Sequence, residues 1–402
     1  MIAARVATLP GDPEREAGVA AALGSHPEAE LVMRCVDRVE LLAAVRGGGL
    51  DAVVSVGAPS WLDRECAAEA AGAGVRIFAL VEDAGEADRL ERLGAAVLPP
   101  ATPTEELVAR CATADAAPPR RLSSQPSSPR GKLFAVWGPK GAPGRTTVAV
   151  ELAAEFSVSE PETLLIDGDP YGGDVLQLLG VTEELPTTIW AARMAARDEL
   201  DAARLAVDLR RAGQPGPILL PGLPRAELWA EISDFGWRQL LTVARASFRV
   251  TVVDVGFCLE PDHSPYPGGG GGRNESARAT VAEADRVIAV CRADPVGIKQ
   301  FMWEFEELTA LTTPERVLVV ANRVRASEQR EVGTVLRRHT GKRPIAYVPE
   351  RVAELGKAVR AGTPVREVRS SSEFSAAIRL LAAALGANVA PQGLLSRLGG
   401  RA

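Results

Sequence analysis

Residues 133–147, LFAVWGPKGAPGRTT, constrain the fold more than any other part of this chain. An aliphatic run ends in a glycine-rich turn, and a helix-compatible stretch opening with Thr146 and Thr147 follows. In that order, the backbone N–H groups of the turn converge on one point, and the helix N-terminus adds its partial positive charge there. Such a loop takes phosphate. Gly141 and Gly144 allow backbone angles and a close approach that a side chain would obstruct. Ala142, Pro143 and Arg145 complete the loop, and Thr146 is placed to put its hydroxyl on Mg2+. The same pattern requires a strand feeding a helix, so it predicts an α/β sheet.

Carboxylates follow at two later strand ends. In TLLIDGDPYGGDV, Asp167 and Asp169 stand two apart, so both can face the phosphate side of the sheet. In VTVVDVG, a largely β-branched run delivers Asp254, a position from which a carboxylate commonly holds Mg2+ through water. The loop departs from the usual phosphate-loop pattern in two places. Arg145 stands where lysine is usual, and Pro139 stands at the first glycine position. Arginine keeps its charge and can grip phosphate bidentately, but its planar fork is bulkier than an ammonium. Binding therefore survives this change more readily than catalytic geometry.

The segment KGAPGRTT resembles the deviant Walker A motif of MinD/ParA-class P-loop ATPases, and the chain is most similar to their CpaE/TadZ-like members over about residues 132–386. The resemblance implies a cross-dimer role for Lys140, which would reach the partner's phosphates. It implies a metal-supporting role for Asp167 and a water-orienting role for Asp169, with Gly173-Asp174-Val175 resembling a CpaE-like GDV element. VLVVANRVR resembles the strand-Asn-Arg element that recognises adenine, making Asn322 the base-contacting candidate, and VPE places Pro349 in the base pocket with Glu350 where aspartate is usual. The implied ligands are ATP and Mg2+, with Thr146, Asp167 and Asp254 around the metal.

The rest of the chain divides around this core. Residues 112–132, rich in Pro, Ser, Ala and Arg, read as a linker between a first domain of residues 1–111 and a second of residues 133–386. In the first, strand candidates at Arg5–Leu9, Leu31–Val36, Ala52–Val56, Arg76–Val81 and Ala96–Leu98 alternate with helical stretches, predicting a flavodoxin-like doubly wound sheet. Its ending, GAAVLPPATPTEELVAR, resembles response-regulator receivers. Pro100 replaces the receiver lysine, Val56 stands near the phosphorylated aspartate, Val81 replaces Thr/Ser and the acidic pair is reduced to Asp12, so phosphotransfer is not expected. The second domain has strand candidates at Leu133–Trp137, Thr163–Ile166, Ile218–Leu220, Val250–Val253, Val287–Val290, Val317–Val320 and Ile345–Val348, predicting a mostly parallel sheet. Its last helix should run from Ser372 to Leu385, with Ser370 and Glu373 as a capping box and Gly386 as the stop.

Five cysteines without CxxC spacing and three dispersed histidines argue against disulfides and structural zinc, and for a cytoplasmic address. The net charge of −6 conceals a basic end: residues 311–402 carry 16 Lys and Arg against 7 Asp and Glu. That end could meet anionic lipid, nucleic acid or an acidic partner, or simply form solvated helix faces. Residues 387–402 read as a flexible tail in which GLLSRL could form a weak amphipathic helix at the inner face of the membrane. The leading expectation is an ATP-bridged homodimer of the CpaE/MinD type. It would position protein partners of a polar, septal or pilus/secretion assembly, with slow hydrolysis. The alternatives are a non-hydrolysing scaffold, which Arg145 favours, and a ParA-like DNA partitioning factor. DNA is the less favoured partner.

Overall fold

A computed structural model describes residues 3–112, 131–262 and 272–387, which form two compact units, each around its own sheet. In the first unit five parallel strands, β1 (Ala4–Leu9), β2 (Ala29–Arg34), β3 (Ala52–Ser55), β4 (Arg76–Leu80) and β5 (Ala96–Leu98), lie in the order β2-β1-β3-β4-β5. This is a doubly wound order. Alternation along the strands divides the core. Val53 and Ala79 pack with Leu41, Leu42 and Leu90 from the middle helices. Ala52, Val54 and Phe78 pack with Leu23, Leu107 and Val108 from the first and last helices. Each of the first four helices opens on an aspartate, Asp12, Asp37, Asp63 or Asp83, whose carboxylate accepts an N–H of the first turn. Such caps satisfy donors that have no partner within the helix. Asp12 is therefore engaged by Arg15 N.

The second sheet has eight strands: β6 (Lys132–Trp137), β7 (Thr163–Gly168), β8 (Arg210–Arg211), β9 (Ile218–Leu220), β10 (Val250–Val255), β11 (Arg286–Arg292), β12 (Val317–Val324) and β13 (Ala346–Pro349). Their order is β13-β12-β11-β6-β10-β7-β9-β8, parallel throughout except for the antiparallel β8–β9 pair. Strands covered on both faces must be apolar on both, which is why they read as continuous aliphatic runs. Phe134, Val136, Val252 and Ile288 pack under the helices Arg145–Ser159 and Glu373–Ala384. Ala135, Trp137, Val253 and Ala289 face the helices Asp234–Ser247, Glu275–Glu283 and Pro295–Leu311. β6 lies between β10 and β11: the chain runs from it to β7 on one side and later crosses from β10 to β11 on the other. A crevice forms at the carboxyl ends of strands where order reverses in this way.

One local expectation is corrected. The helix Glu373–Ala384 is capped by Ser372, whose hydroxyl accepts from Phe374 N, and not by Ser370. Ser372 also donates to Glu354, which fixes the turn one residue before the helix. Gly386, with φ of +93°, ends the segment as expected. Four cysteines are buried and Cys258 is partly so; all are free. Burial pushes the Cys66, Cys111 and Cys291 thiols up to about 12, so they stay protonated. Most of the linker, the glycine-rich tract after β10 and nearly all of the tail lie outside the described residues.

Candidate functional site

From the carboxyl end of β6 the chain enters the phosphate-loop candidate. Gly141 and Gly144 adopt φ of +93° and +96°, and Ala142 between them adopts +52°. A non-glycine residue in this left-handed region costs energy and persists only where its surroundings demand it. Gly144 is the N-cap of the helix Arg145–Ser159, which therefore begins with unpaired N–H groups at the loop. It must be glycine for a second reason: a Cβ there would fall 2.3 Å from Nδ2 of Asn322. That amide donates to the Pro143 carbonyl at 2.7 Å, and its Oδ1 accepts from Arg323 N at 2.9 Å. Asn322, expected at a base, here ties β12 to the loop through the bond to Pro143. Lys140 is exposed at the loop's rim. Burial raises the pKa of Glu304 on the helix Pro295–Leu311, and the Lys140 charge pulls it part of the way back.

Arg145 turns inward. Its guanidinium donates to the Gly138 carbonyl at 2.9 Å and to Asp169 Oδ2 at 3.1 Å, while its Nε, also buried, has no partner. Asp169 Oδ1 accepts the Tyr171 N–H at 2.9 Å. Asp167 and Asp254 are register partners on β7 and β10. Asp167 accepts N–H bonds from Asp169 and Val175, both at 3.3 Å. The chain passes so close to it that a Cβ on Gly173 would lie 1.9 Å from its Oδ2. Asp254 is fully buried, and neither of its oxygens finds a partner of hydrogen-bond geometry, although the Thr146 hydroxyl and Arg145 lie near enough to favour its charge.

Burial, with repulsion among Asp167, Asp169 and Asp174, pushes Asp167 up to about 7 against the pull of its two N–H donors. Burial and then Asp167 raise Asp254 well above the usual carboxylate range. Three carboxylates against one arginine make an electrostatic imbalance that a divalent cation relieves. The donor set, carboxylate and hydroxyl oxygen, suits Mg2+. Among the described residues no three His, Cys, Asp or Glu side chains form a cage by themselves.

Beside the loop, a cavity of about 650 Å3 opens at the ends of β11 and β12, lined by Arg292, Asp294, Ile298, Arg323, Arg325 and Glu350 among others. It has the size of a small-molecule site. Arg292 links it to the loop by donating to the Gly141 carbonyl at 3.2 Å. Arg323, at a bulge in the β12–β13 pairing, has φ of +58°. Glu350 lines the cavity, and Pro349 before it ends β13. Sequence reasoning did not single out Arg292; Arg323 stands in the Asn-Arg element, but its left-handed backbone has no signature in the residue itself.

No family model matches the sequence, and no curated protein is significantly similar to it. Solved structures do share its fold. A ParA family ATPase from Chlorobium tepidum matches with a TM-score of 0.53 at 18% identity, over 63% of this chain and 98% of that one. An ATP complex of a Cyanothece McdA variant matches with 0.51 at 16% identity, over 66% and 100%. MinD in complex with MinC from Aquifex aeolicus matches with 0.50 at 16% identity, over 65% and 98%. The similarity is one of fold: the α/β architecture of MinD/ParA-type P-loop ATPases. Among the described residues no helix is long and apolar enough to cross a membrane.

Proposed function

We propose that the second unit binds Mg-ATP at the carboxyl ends of β6, β7 and β10 and acts as a nucleotide-dependent dimerising organiser of the CpaE/MinD type. The observation that carries this reading is Asp254, fully buried with both oxygens unpaired, set beside Asp167 and Thr146 beneath the left-handed loop. In it, the loop N–H groups, the helix N-terminus and Arg145 hold the phosphates. Thr146, Asp167 and Asp254 hold Mg2+, which would neutralise phosphate charge. Arg323 and Glu350 flank the base in the 650 Å3 cavity. Asn322 holds the loop in shape from behind. Lys140, exposed at the rim beside Glu304, is accessible to a second copy. The fold shared with ATP-bound McdA and with MinC-bound MinD supports nucleotide-governed recruitment of a protein partner.

Within this reading residues 1–111 are a receiver-like docking domain without phosphotransfer. Residues 112–132 are a linker, and residues 387–402 are a tail that contributes at most weak membrane contact. The assembly served is polar, septal or of the pilus/secretion kind.

The Arg145–Asp169 pair favours a second reading, a non-hydrolysing scaffold, because it occupies the carboxylate that would orient water. A DNA-binding reading rests on the basic end, within which Arg325, Arg351, Arg366, Arg369 and Arg379 each face a carboxylate. Titration of the full chain with Mg-ATP, followed by phosphate release and mass in solution, separates these readings. Binding, dimerisation and slow release support the switch; binding and dimerisation without release support the scaffold. No binding defeats the switch and leaves the scaffold, which needs the fold only for dimerisation and docking; a monomer without binding defeats both.

A further inference from the structure

Two aromatic rings outside the packed core stand between the phosphate loop and the segment that enters the helix Glu275–Glu283. The Arg145 guanidinium lies 5.8 Å from the Phe257 ring centroid. Phe257 and Tyr171 have centroids 4.6 Å apart at an interplanar angle of 37°. The Arg273 guanidinium lies 4.0 Å from the Tyr171 centroid. Arg145, Phe257, Tyr171 and Arg273 therefore form a run of consecutive contacts through two tilted rings, with a cation at each end.

Each member is tied down separately. The Phe257 carbonyl accepts the Trp137 indole N–H at 3.0 Å, and Trp137 is the last residue of the strand that delivers the loop. Tyr171 donates its N–H to Asp169 and its hydroxyl to Asn274 Oδ1 at 2.7 Å. Asn274 is buried and donates its amide to the Glu260 carbonyl and Cys258 Sγ. Arg273 donates to the Pro170 carbonyl at 3.0 and 3.3 Å. The contacts close a circuit: Asp169 holds Arg145, Arg145 lies on Phe257, Phe257 on Tyr171, and Tyr171 returns to Asp169.

An arginine in the lysine position has a positioning problem that this circuit answers. Its side chain is long and rich in rotamers, and a planar fork grips phosphate well only in the right orientation. Two hydrogen bonds hold Arg145 now, one to a loop carbonyl and one to Asp169, while its buried Nε is without a partner. An arriving phosphate competes with Asp169 for the fork. The Phe257 ring makes no hydrogen bond to Arg145 and so needs no exchange of partner when phosphate arrives. A quadrupolar face attracts the guanidinium whichever oxygen the fork engages.

We infer that Phe257, backed by Tyr171, is a positioning residue for the phosphate-gripping Arg145, keeping its guanidinium over the loop as its partner changes from Asp169 to nucleotide phosphate. This rests on the Mg-ATP reading above and adds a residue to it from outside every phosphate-loop motif. Phe257 and Tyr171 are not members of the hydrophobic clusters on either face of the sheet, so their pairing does not serve the core.

The test is calorimetric titration of the full chain with Mg-ATP and, separately, with tripolyphosphate, which has no base. Phe257→Leu keeps apolar bulk and removes the ring face; it should weaken both ligands by the same factor, roughly five- to twenty-fold. Phe257→Tyr should bind as the unchanged protein does, a rescue that bulk alone would not predict. If Phe257→Leu fails to fold, Tyr171→Leu reports on the same run of contacts, and Tyr171→Phe, which keeps the ring, is its control. Unchanged protein that binds Mg-ATP, with Phe257→Leu and Tyr171→Leu binding equally well, overturns this inference alone. So does a loss confined to ATP and absent for tripolyphosphate. Failure of the unchanged protein to bind either ligand overturns the nucleotide reading and this inference with it.

Discussion

Asp254 is the residue whose energetics most need an explanation. A fully buried carboxylate with two unpaired oxygens and Asp167 as its neighbour costs several kcal/mol unless it is protonated or meets a cation. Asp254→Asn removes that repulsion. Without nucleotide it should raise the thermal midpoint by roughly 2–4 °C for each kcal/mol relieved. With ATP present, the extra rise that Mg2+ gives the unchanged protein should vanish. Thermal unfolding with ATP, with and without Mg2+, measures both effects; a lower midpoint without nucleotide would mean that Asp254 has a structural partner. Arg145 makes the second residue-scale prediction. Arg145→Lys should release Asp169, because a shorter ammonium reaches fewer partners, and steady-state phosphate release should rise several-fold. An unchanged or lower rate would show that the arginine does not hold Asp169 back. The residue types at this site were legible: Gly141, Gly144, Thr146, Asp167, Asp169 and Asp254 gather where strand-end placement puts them. The destination of the Arg145 side chain was not, since nothing local sends a guanidinium at a helix start to a carboxylate just past the end of β7. Asn322 was legible as a site residue, but only the approach of β12 to Pro143 turns its amide toward the loop.

At the scale of elements, the helix Arg145–Ser159 buries two acids on its core side, Glu151 and Glu155. Glu155 meets Arg379 at 3.4 Å and Arg366 at 3.9 Å, whereas Glu151 has one N–H, from Val365 at 2.8 Å. Burial pushes Glu151 up to about 7; the Val365 N–H opposes this and Glu155 adds to it. A carboxyl with a raised folded-state pKa favours the native state fully below its unfolded value, and that contribution is lost as pH rises through about 7. Glu151→Gln keeps an acceptor for Val365 and removes the charge. It should flatten the loss of stability between pH 5 and 8 by about 1–3 kcal/mol. Denaturant unfolding at those two pH values checks this, and parallel pH profiles for both proteins would count against it. Elements built from aliphatic runs, β6, β7 and β10 to β13, could be read from the sequence because both of their faces are covered. β8 could not, since two arginines pair with β9 by edge geometry alone. The cap at Ser372 was misplaced because three consecutive serines offer equivalent caps, and only the contact with Glu354 selects among them.

For the whole molecule, two sheets imply two separable kinds of chemistry. In the first, the carboxyl ends of β1 and β3 meet so closely that a Cβ on Gly11 would fall 1.3 Å from the Val56 carbonyl oxygen, and Asp12 is already committed to capping a helix. A fragment of residues 1–111 should therefore fold alone, with its own two-sided core, and take up no phosphate from acetyl phosphate; intact-mass measurement of the fragment would reveal any adduct. In the second, the loop leaves Lys140 at the rim while Arg145 turns inward, so the two cations of KGAPGRTT face different directions. An inward cation can serve its own nucleotide; an exposed one is available to another chain. A cation supplied in trans to developing phosphoryl charge is worth ~10³–10⁵ in rate. Lys140→Ala should accordingly bind Mg-ATP as a monomer with near-normal affinity, yet fail to dimerise with ATP and lose most phosphate release. Mixing it with Asp169→Ala should restore one complete site per heterodimer, because the Asp169→Ala subunit supplies Lys140 to a partner whose Asp169 is intact. Light scattering and phosphate release on the mixture read both consequences. ATP-driven dimerisation of Lys140→Ala at the unchanged protein's affinity would remove the cross-subunit lysine from the mechanism. Recovery absent from the mixture, with both single variants folded and binding ATP, would place Lys140 and Asp169 in the same subunit's site.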